Sequence, residues 1–217
     1  MDARARLRSA ILQAVKLLRR MRVVAVKDAA EEVDFYADLF SDYTDQGLDG
    51  RMGATDLARA LREVIRENGR QIYVQAAEDC GVPEEELDDD DDTILEGWIA
   101  SQLDHVADYA KDVIDARGDE AATEGIQGRV SAWVEAARSL STMACMNAKK
   151  NVMLTFDGDD GEESCDECQE YKGQRHRASW WLERDLVRRN GNENYTCGRW
   201  EPCQHNFYTD DGELFGG

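Results

Sequence analysis

Residues 93–114 read TILEGWIASQLDHVADYAKDVI. Ile94, Leu95, Trp98, Ile99, Leu103, Val106, Ala110, Val113 and Ile114 recur at steps of three and four, which puts them on one face of an α-helix. Thr93 followed by Glu96 has capping-box spacing and predicts that the helix starts there. His105 has no partner at ligand spacing and reads as a polar-face or capped-core histidine rather than a metal ligand. A stripe this regular needs other apolar helix faces to cover it, so the chain is expected to be mainly α.

The flanking sequence supplies those faces. Upstream, Leu57, Ala60, Leu61, Val64, Ile65, Ile72, Tyr73 and Ala76 continue a stripe to about Cys80, with Thr55 or Asp56 as the expected cap. Gly81-Val82-Pro83 ends it, and the acidic run EEELDDDDD at 84–92 reads as a solvated linker. That run lacks the alternating oxygen ligands, central glycine and distal glutamate of a calcium loop; the acidic stretch from Asp157 fails the same test. Asp28 with Glu31 predicts the start of an earlier helix carrying Val33, Phe35, Tyr36, Leu39 and Phe40, broken by Gly47, Gly50 and Gly53. Residues 3–24 form a further amphipathic pattern with a basic second face. Downstream, a break from Gly118 to Gly128 precedes a last long helix with Val130, Trp133, Val134, Ala137, Leu140 and Ala144. Composition shifts at Lys149-Lys150, after which Val152–Phe156 is β-like. The expected organisation is a helical scaffold or docking region of about five helices over 1–150. A small α+β, zinc-knuckle-like domain over 151–217 follows it.

The chain of 217 residues has a formal charge of -20, with 26 basic against 46 acidic side chains. Residues 1–28 hold eight basic side chains against Asp2 and Asp28, so this arm is about +6 and the remainder about -26. Such a body disfavours general nucleic-acid binding. Only six of the basic residues are lysine, and aspartate outnumbers glutamate by 26 to 20. This pattern resembles proteins of extreme halophiles, particularly haloarchaea and their viruses; molar salt shortens the Debye length to about 3 Å and screens the self-repulsion. No run of about 18 apolar residues reads as a membrane span, and the charged N-terminus does not read as a signal peptide.

Six cysteines divide into two sorts. Cys80 and Cys145 stand alone within helical patterns. Cys165, Cys168, Cys197 and Cys203 cluster with His205, and His176 lies between the knuckles. A C-x-x-C turn presents two thiolates from one tight loop, and a second loop completes a tetrahedron, which is the chemistry of a structural zinc site. Cys165, Cys168 and Cys203 are the firmest ligands, and the fourth is Cys197 or His205; the surplus residue is expected to support a ligand by a hydrogen bond. His176 is an outside option. No general base, nucleophile pair or deaminase-type H-x-E with P-C-x-x-C accompanies the cluster. The chain is therefore expected not to be an enzyme and to take no small-molecule substrate. The zinc is expected to act as a staple for a unit too small and polar to hold itself together.

The residues between the knuckles add a resemblance. Cys165-x-x-Cys168-x-x-Tyr171-x-Gly173-Gln174-x-His176-Arg177-Ala178-Ser179-x-Trp181, then Cys197-Gly198-x-Trp200-x-x-Cys203-x-His205, resembles the C-terminal module of minor head (head morphogenesis) proteins of tailed phages and proviruses. That family pairs a C-x-x-C with an L-x-G-x-x-H-x-A-S-x-W segment and a closing C-G-x-x-x-C-x-C, behind a helical region. Here the closing loop is one residue longer, and His205 stands where the last cysteine is usual.

The resemblance implies a virion structural protein: a minor capsid or portal-proximal component in the head and neck region, made in the host cytoplasm. Its partners would be portal, capsid or neck proteins, with packaged DNA a further candidate for the basic N-terminal helix. The alternative is a zinc-module nucleic-acid-binding or assembly regulatory protein using Arg175, Arg177, Arg184, Arg188 and Arg189. Tyr171, Trp180, Trp181, Trp200, Phe207 and Tyr208 are expected to form a small core around the metal rather than a base-stacking platform.

Overall fold

The computed structural model describes residues 28–158, 166–187 and 205–215. Four long helices come first: α1 (Ala29–Leu48), α2 (Ala54–Asp79), α3 (Asp89–Asp115) and α4 (Glu120–Ala148). A small unit follows, made of β1 (Met153–Gly158), α5 (Asp166–Tyr171), β2 (Arg175–Arg177), α6 (Ala178–Glu183) and β3 (His205–Tyr208). The described part is thus mainly helical, with one antiparallel three-stranded sheet in the order β2-β1-β3. The expected basic helix at 3–24 lies outside the described residues.

Each helix buries the centre of the stripe that its sequence predicts, with Phe35, Leu39, Ile94, Leu103, Ile114 and Val134 half-buried at the margins. Val33, Tyr36 and Phe40 of α1, Leu61, Val64, Ile65 and Ile72 of α2, Trp98, Val106 and Val113 of α3, and Trp133, Ala137 and Leu140 of α4 meet in one core. Its lower part is aromatic: Phe40 stacks on Trp133 with centroids 5.0 Å apart, and Tyr109 packs edge-on to Trp133 at 5.8 Å. The Tyr109 hydroxyl meets Thr44 Oγ1 at 3.0 Å, and that hydroxyl donates to Phe40 O. Burial pushes the Tyr109 phenol up to about 12.

Three helix starts differ from the sequence reading. The acidic run is not all linker: Glu84–Glu86 is a 3-10 turn, and α3 begins at Asp89, four residues before Thr93. Asp88 is the N-cap, its side chain accepting from the Asp90 and Asp91 amides, while Asp91 accepts back from the Asp88 amide. Aspartates are favourable there because the first turn of a helix presents unpaired N–H groups and the positive end of its dipole. Likewise the break at Gly118–Gly128 is short. Asp119 caps α4 through the Ala122 amide, and Gly125 and Gly128 lie inside the helix, with Ile126 buried between them. At α2 the cap is Gly53, without a side-chain hydrogen bond, rather than Thr55 or Asp56.

Two glycines mark close helix approach. A Cβ on Gly69 would lie 2.7 Å from Trp98 Cζ3, and one on Gly47 would lie 2.7 Å from Val113 Cγ1 and 2.8 Å from Leu57 Cδ2. Trp98 cannot yield easily, since it is fully buried and its Nε1 donates to Ala136 O at 3.0 Å. A Cβ on Gly128 meets nothing within 4 Å. Gly69→Ala is therefore expected to lose about 1–3 kcal/mol, overpacking outweighing the gain in helix propensity. Gly128→Ala is expected to gain about 0.5–1 kcal/mol. Urea midpoints moving in opposite directions for the two variants check this; a stabilised Gly69→Ala would refute the close contact.

Candidate metal centre

The small unit is built on β1. Its first three residues pair with β2 through Met153–Arg177, Leu154–His176 and Thr155–Arg175, and on the other side Phe156 pairs with Phe207 and Gly158 with His205. Alternation along β1 sends Leu154 and Phe156 inward, where Trp181 and Phe207 meet them; Phe156 lies 5.8 Å from Trp181 and 5.5 Å from Phe207, centroid to centroid.

The chain returns from α5 to β2 through Lys172-Gly173. Gly173 has φ +74, a conformation that favours glycine, and it donates its amide to Phe156 O at 2.9 Å. The motif His176-Arg177-Ala178-Ser179-Trp180-Trp181 then passes directly from strand to helix. Ala178 N donates to Val152 O at 2.8 Å and Ser179 N to Lys150 O at 3.1 Å, which ties the unit to the end of α4. Ala178 and Trp181 are fully buried. The end of α6 is a Schellman turn: Leu186 N donates to Trp181 O and Asp185 N to Leu182 O, with Asp185 at φ 52 and Leu186 buried with Trp181 in the core.

The predicted ligands stand as follows. Cys168 is buried on α5, in the same core as Phe156, Trp181 and Phe207. His205 begins β3 opposite the last residue of β1, and only its backbone is described. Cys165, Cys197 and Cys203 lie outside the described residues. Among the described residues, which include the side chain of Cys168 alone of the five predicted ligands, no group of three His, Cys, Asp or Glu side chains is placed to hold a metal. His176 is engaged elsewhere. Its ring stacks on Trp180 at 3.7 Å and 12°, and its Nε2 meets Gln174 Oε1 at 3.1 Å.

The donor chemistry fits zinc: three thiolates with a further thiolate or imidazole match its preference for sulfur and nitrogen. A buried cysteine against an aromatic hairpin also suits a low-dielectric structural site. In this core Trp181 Nε1 is buried without a hydrogen-bond partner among the described residues, its neighbours being aromatic faces and edges. The aromatic residues therefore divide. Trp181 and Phe207 are core, while Tyr171 and Trp180 are half-buried on the outer side.

The arginines proposed for nucleic acid have protein partners. Arg175 forms a two-pronged pair with Asp210, holding that carboxyl below its usual range. Arg177 reaches Asn151 at 3.3 Å, and Arg184 lies 4.3 Å over the Trp180 ring. Arg188 and Arg189 lie outside the described residues.

Two features at the upper end of the bundle were not read from the sequence. Cys80 and Cys145, which stand alone within helical patterns in the sequence, form a disulfide across 65 residues with Cα atoms 5.4 Å apart. Asp91, which the sequence places in a run expected to be solvated, is buried and accepts from Tyr73 Oη at 2.7 Å and Asn147 Nδ2 at 2.6 Å. Burial alone would raise its pKa. The hydrogen bonds from the Asp88 amide, Tyr73 and Asn147 outweigh that and hold the carboxyl below its ordinary value. Tyr73 is pushed well above the usual phenol range, first by burial and then by Asp91.

No family model matches the chain, nor does any curated protein or solved structure. Among the described residues no helix is long and apolar enough to cross a membrane.

Proposed function

We propose that this protein is a structural component of a tailed-virus head, near the portal, whose C-terminal unit is stapled by zinc on Cys165, Cys168 and Cys203 with Cys197 or His205. The observation that carries the staple is the placement around β1: the buried Cys168 packs on one side of this strand, and His205 opens the strand paired to its far end. A zinc ion there would link segments that a three-stranded sheet alone holds weakly. The head assignment rests on the motif spanning Cys165–His205. The role of its middle residues is consistent with it, since the Ala178 and Ser179 amides bond the chain just beyond α4 and Trp181 fills the core of the unit rather than offering a reactive group. The pairing of Arg175 and Arg177 within the protein weighs against the nucleic-acid alternative.

Metal content per chain is expected to be about one zinc. Of Cys197→Ser and His205→Ala, one should lower occupancy sharply and the other little; full occupancy in both variants would overturn this ligand set. Mass spectrometry of purified virions tests the location separately, and consistent absence of the chain would overturn the head assignment.

A further inference from the structure

The Cys80–Cys145 bond lies where the bundle passes into the C-terminal unit. Cys80 follows the last residue of α2 and Cys145 lies in the last turn of α4, so the bond joins two helix ends. From Cys145 a run of backbone hydrogen bonds leads into the unit. Lys149 N donates to Cys145 O at 2.9 Å, Val152 N to Lys149 O at 2.9 Å, and Ala178 N to Val152 O at 2.8 Å. Beside it Ser179 N donates to Lys150 O at 3.1 Å. Whatever fixes the last turn of α4 therefore also fixes the seat of β1 and α6.

The two sulfurs differ in access and in what holds them. Cys80 is half-buried and is followed by Gly81, whose φ of +96 turns the chain away. Cys145 is 3% exposed, with its Sγ 3.3 Å from Ala76 O. On reduction the buried thiol keeps that carbonyl as a partner. Without the bond α2 and α4 stay linked through Asp91, which accepts from Tyr73 on one and Asn147 on the other. Both redox states are thus compatible with the folded bundle, and neither leaves a buried thiol stranded.

We propose that Cys80–Cys145 is a reversible thiol–disulfide switch: oxidation locks the C-terminal unit onto the bundle, and reduction lets the last turn of α4 open locally. The switch does not depend on the zinc staple, since neither cysteine belongs to that ligand set. The oxidant is a low-molecular-weight disulfide such as oxidised glutathione. The more accessible Cys80 attacks it as the thiolate, forming a mixed disulfide and releasing one glutathione thiolate. Cys145, as its thiolate, then attacks Cys80 Sγ, closing the internal bond and expelling the second glutathione. Two electrons pass from the protein pair to the glutathione disulfide, and the two protein thiol protons end on the two glutathiones. Reduction runs backwards: a glutathione thiolate enters at Cys80, and the departing Cys145 takes up a proton and donates it toward Ala76 O.

Amide hydrogen exchange on the full chain, followed by mass spectrometry, tests the lock at times too short for global unfolding. Peptides covering 146–158 and 172–182 are expected to exchange roughly tenfold faster after reduction, while the α3 peptide around Val106 and Val113 keeps its protection. A Cys80→Ser, Cys145→Ser double variant should exchange at the reduced rate with or without reductant. Equal junction exchange in the two states would overturn the proposal. So would protection lost equally across α3, which marks a plain stability staple. The order of attack is read separately with oxidised glutathione and peptide mapping. Cys145→Ser should trap a mixed disulfide at Cys80, whereas Cys80→Ser should take up none at Cys145. Modification of Cys145 as fast as that of Cys80 would overturn the assignment of roles.

Discussion

Replacing Asp91 by alanine is expected to remove roughly 3–5 kcal/mol of stability, the largest loss from any single polar side chain in the bundle. The substitution strips the acceptor from Tyr73 and Asn147, both held at 2.6–2.7 Å, and breaks the reciprocal cap with Asp88. Hydrogen bonds to a charged partner contribute about 1.5–3 kcal/mol, and the abandoned donors cannot reach water. Asp91→Asn should lose less, about 1–2 kcal/mol, because it keeps an acceptor oxygen while turning a donor toward the Asp88 amide. The sign of the pH effect follows from the lowered carboxyl. The unfolded chain takes up the proton first as pH falls, so the stabilisation is present above the unfolded value of about 3.9 and fades as pH drops through the folded one. Urea unfolding followed by helical circular dichroism at pH 7 and pH 3 should therefore show the gap between wild type and Asp91→Asn narrowing in acid. A gap that widens in acid would refute a depressed Asp91.

The second large effect belongs to Cys80–Cys145. Cys80 caps α2, where Gly81 at φ +96 turns the chain away, and Cys145 sits in the last turn of α4. The bond closes a loop of 65 residues, a constraint on the unfolded chain worth about 4 kcal/mol on the loop-entropy model. For a chain of this size that is on the order of 10 °C in melting temperature. Cys145 Sγ lies 3.3 Å from Ala76 O; once reduced, the thiol can donate there, so reduction leaves no polar group stranded. A Cys80→Ser, Cys145→Ser double variant keeps that option through a hydroxyl and isolates the cross-link itself. The oxidised wild type is expected to melt about 10 °C above both its reduced form and the double variant, with the variant insensitive to reductant. An unchanged melting temperature on reduction would show that the bond does not form in solution. In a reducing cytoplasm the pair stays as thiols, which makes both states worth measuring.

The helices were legible because their signal is periodic and local. Ile94 to Ile114 announced α3, and Asp28 announced the cap of α1 without any knowledge of neighbours. The errors fell where local and tertiary signals compete. Thr93-x-x-Glu96 is a sound capping box in isolation, but Asp88–Asp91 offers the same chemistry five residues earlier, and Asp91 gains Tyr73 and Asn147 by starting there. Gly125 and Gly128 looked like a break, yet Ile126 and Val130 found a core to bury in and the helix ran through. In the C-terminal unit the first strand was readable from Val152–Phe156, and of the aromatic residues expected in its core Trp181 and Phe207 are buried while Tyr171 and Trp180 are only half-buried. The stacking of His176 on Trp180 was not, because it depends on β2 leading straight into α6.

The sequence by itself determined that this chain is a set of amphipathic helices followed by a small β-containing, cysteine-rich unit. Hydrophobic spacing, caps and turn residues act within a few positions and need no partner to be read. Only the tertiary structure decided which distant residues share a neighbourhood: Cys80 with Cys145, Asp91 with Asn147, and Gly69 against Trp98. Those pairings depend on helix order, register and crossing, quantities set by the packing of whole faces. No single stretch of sequence contains them.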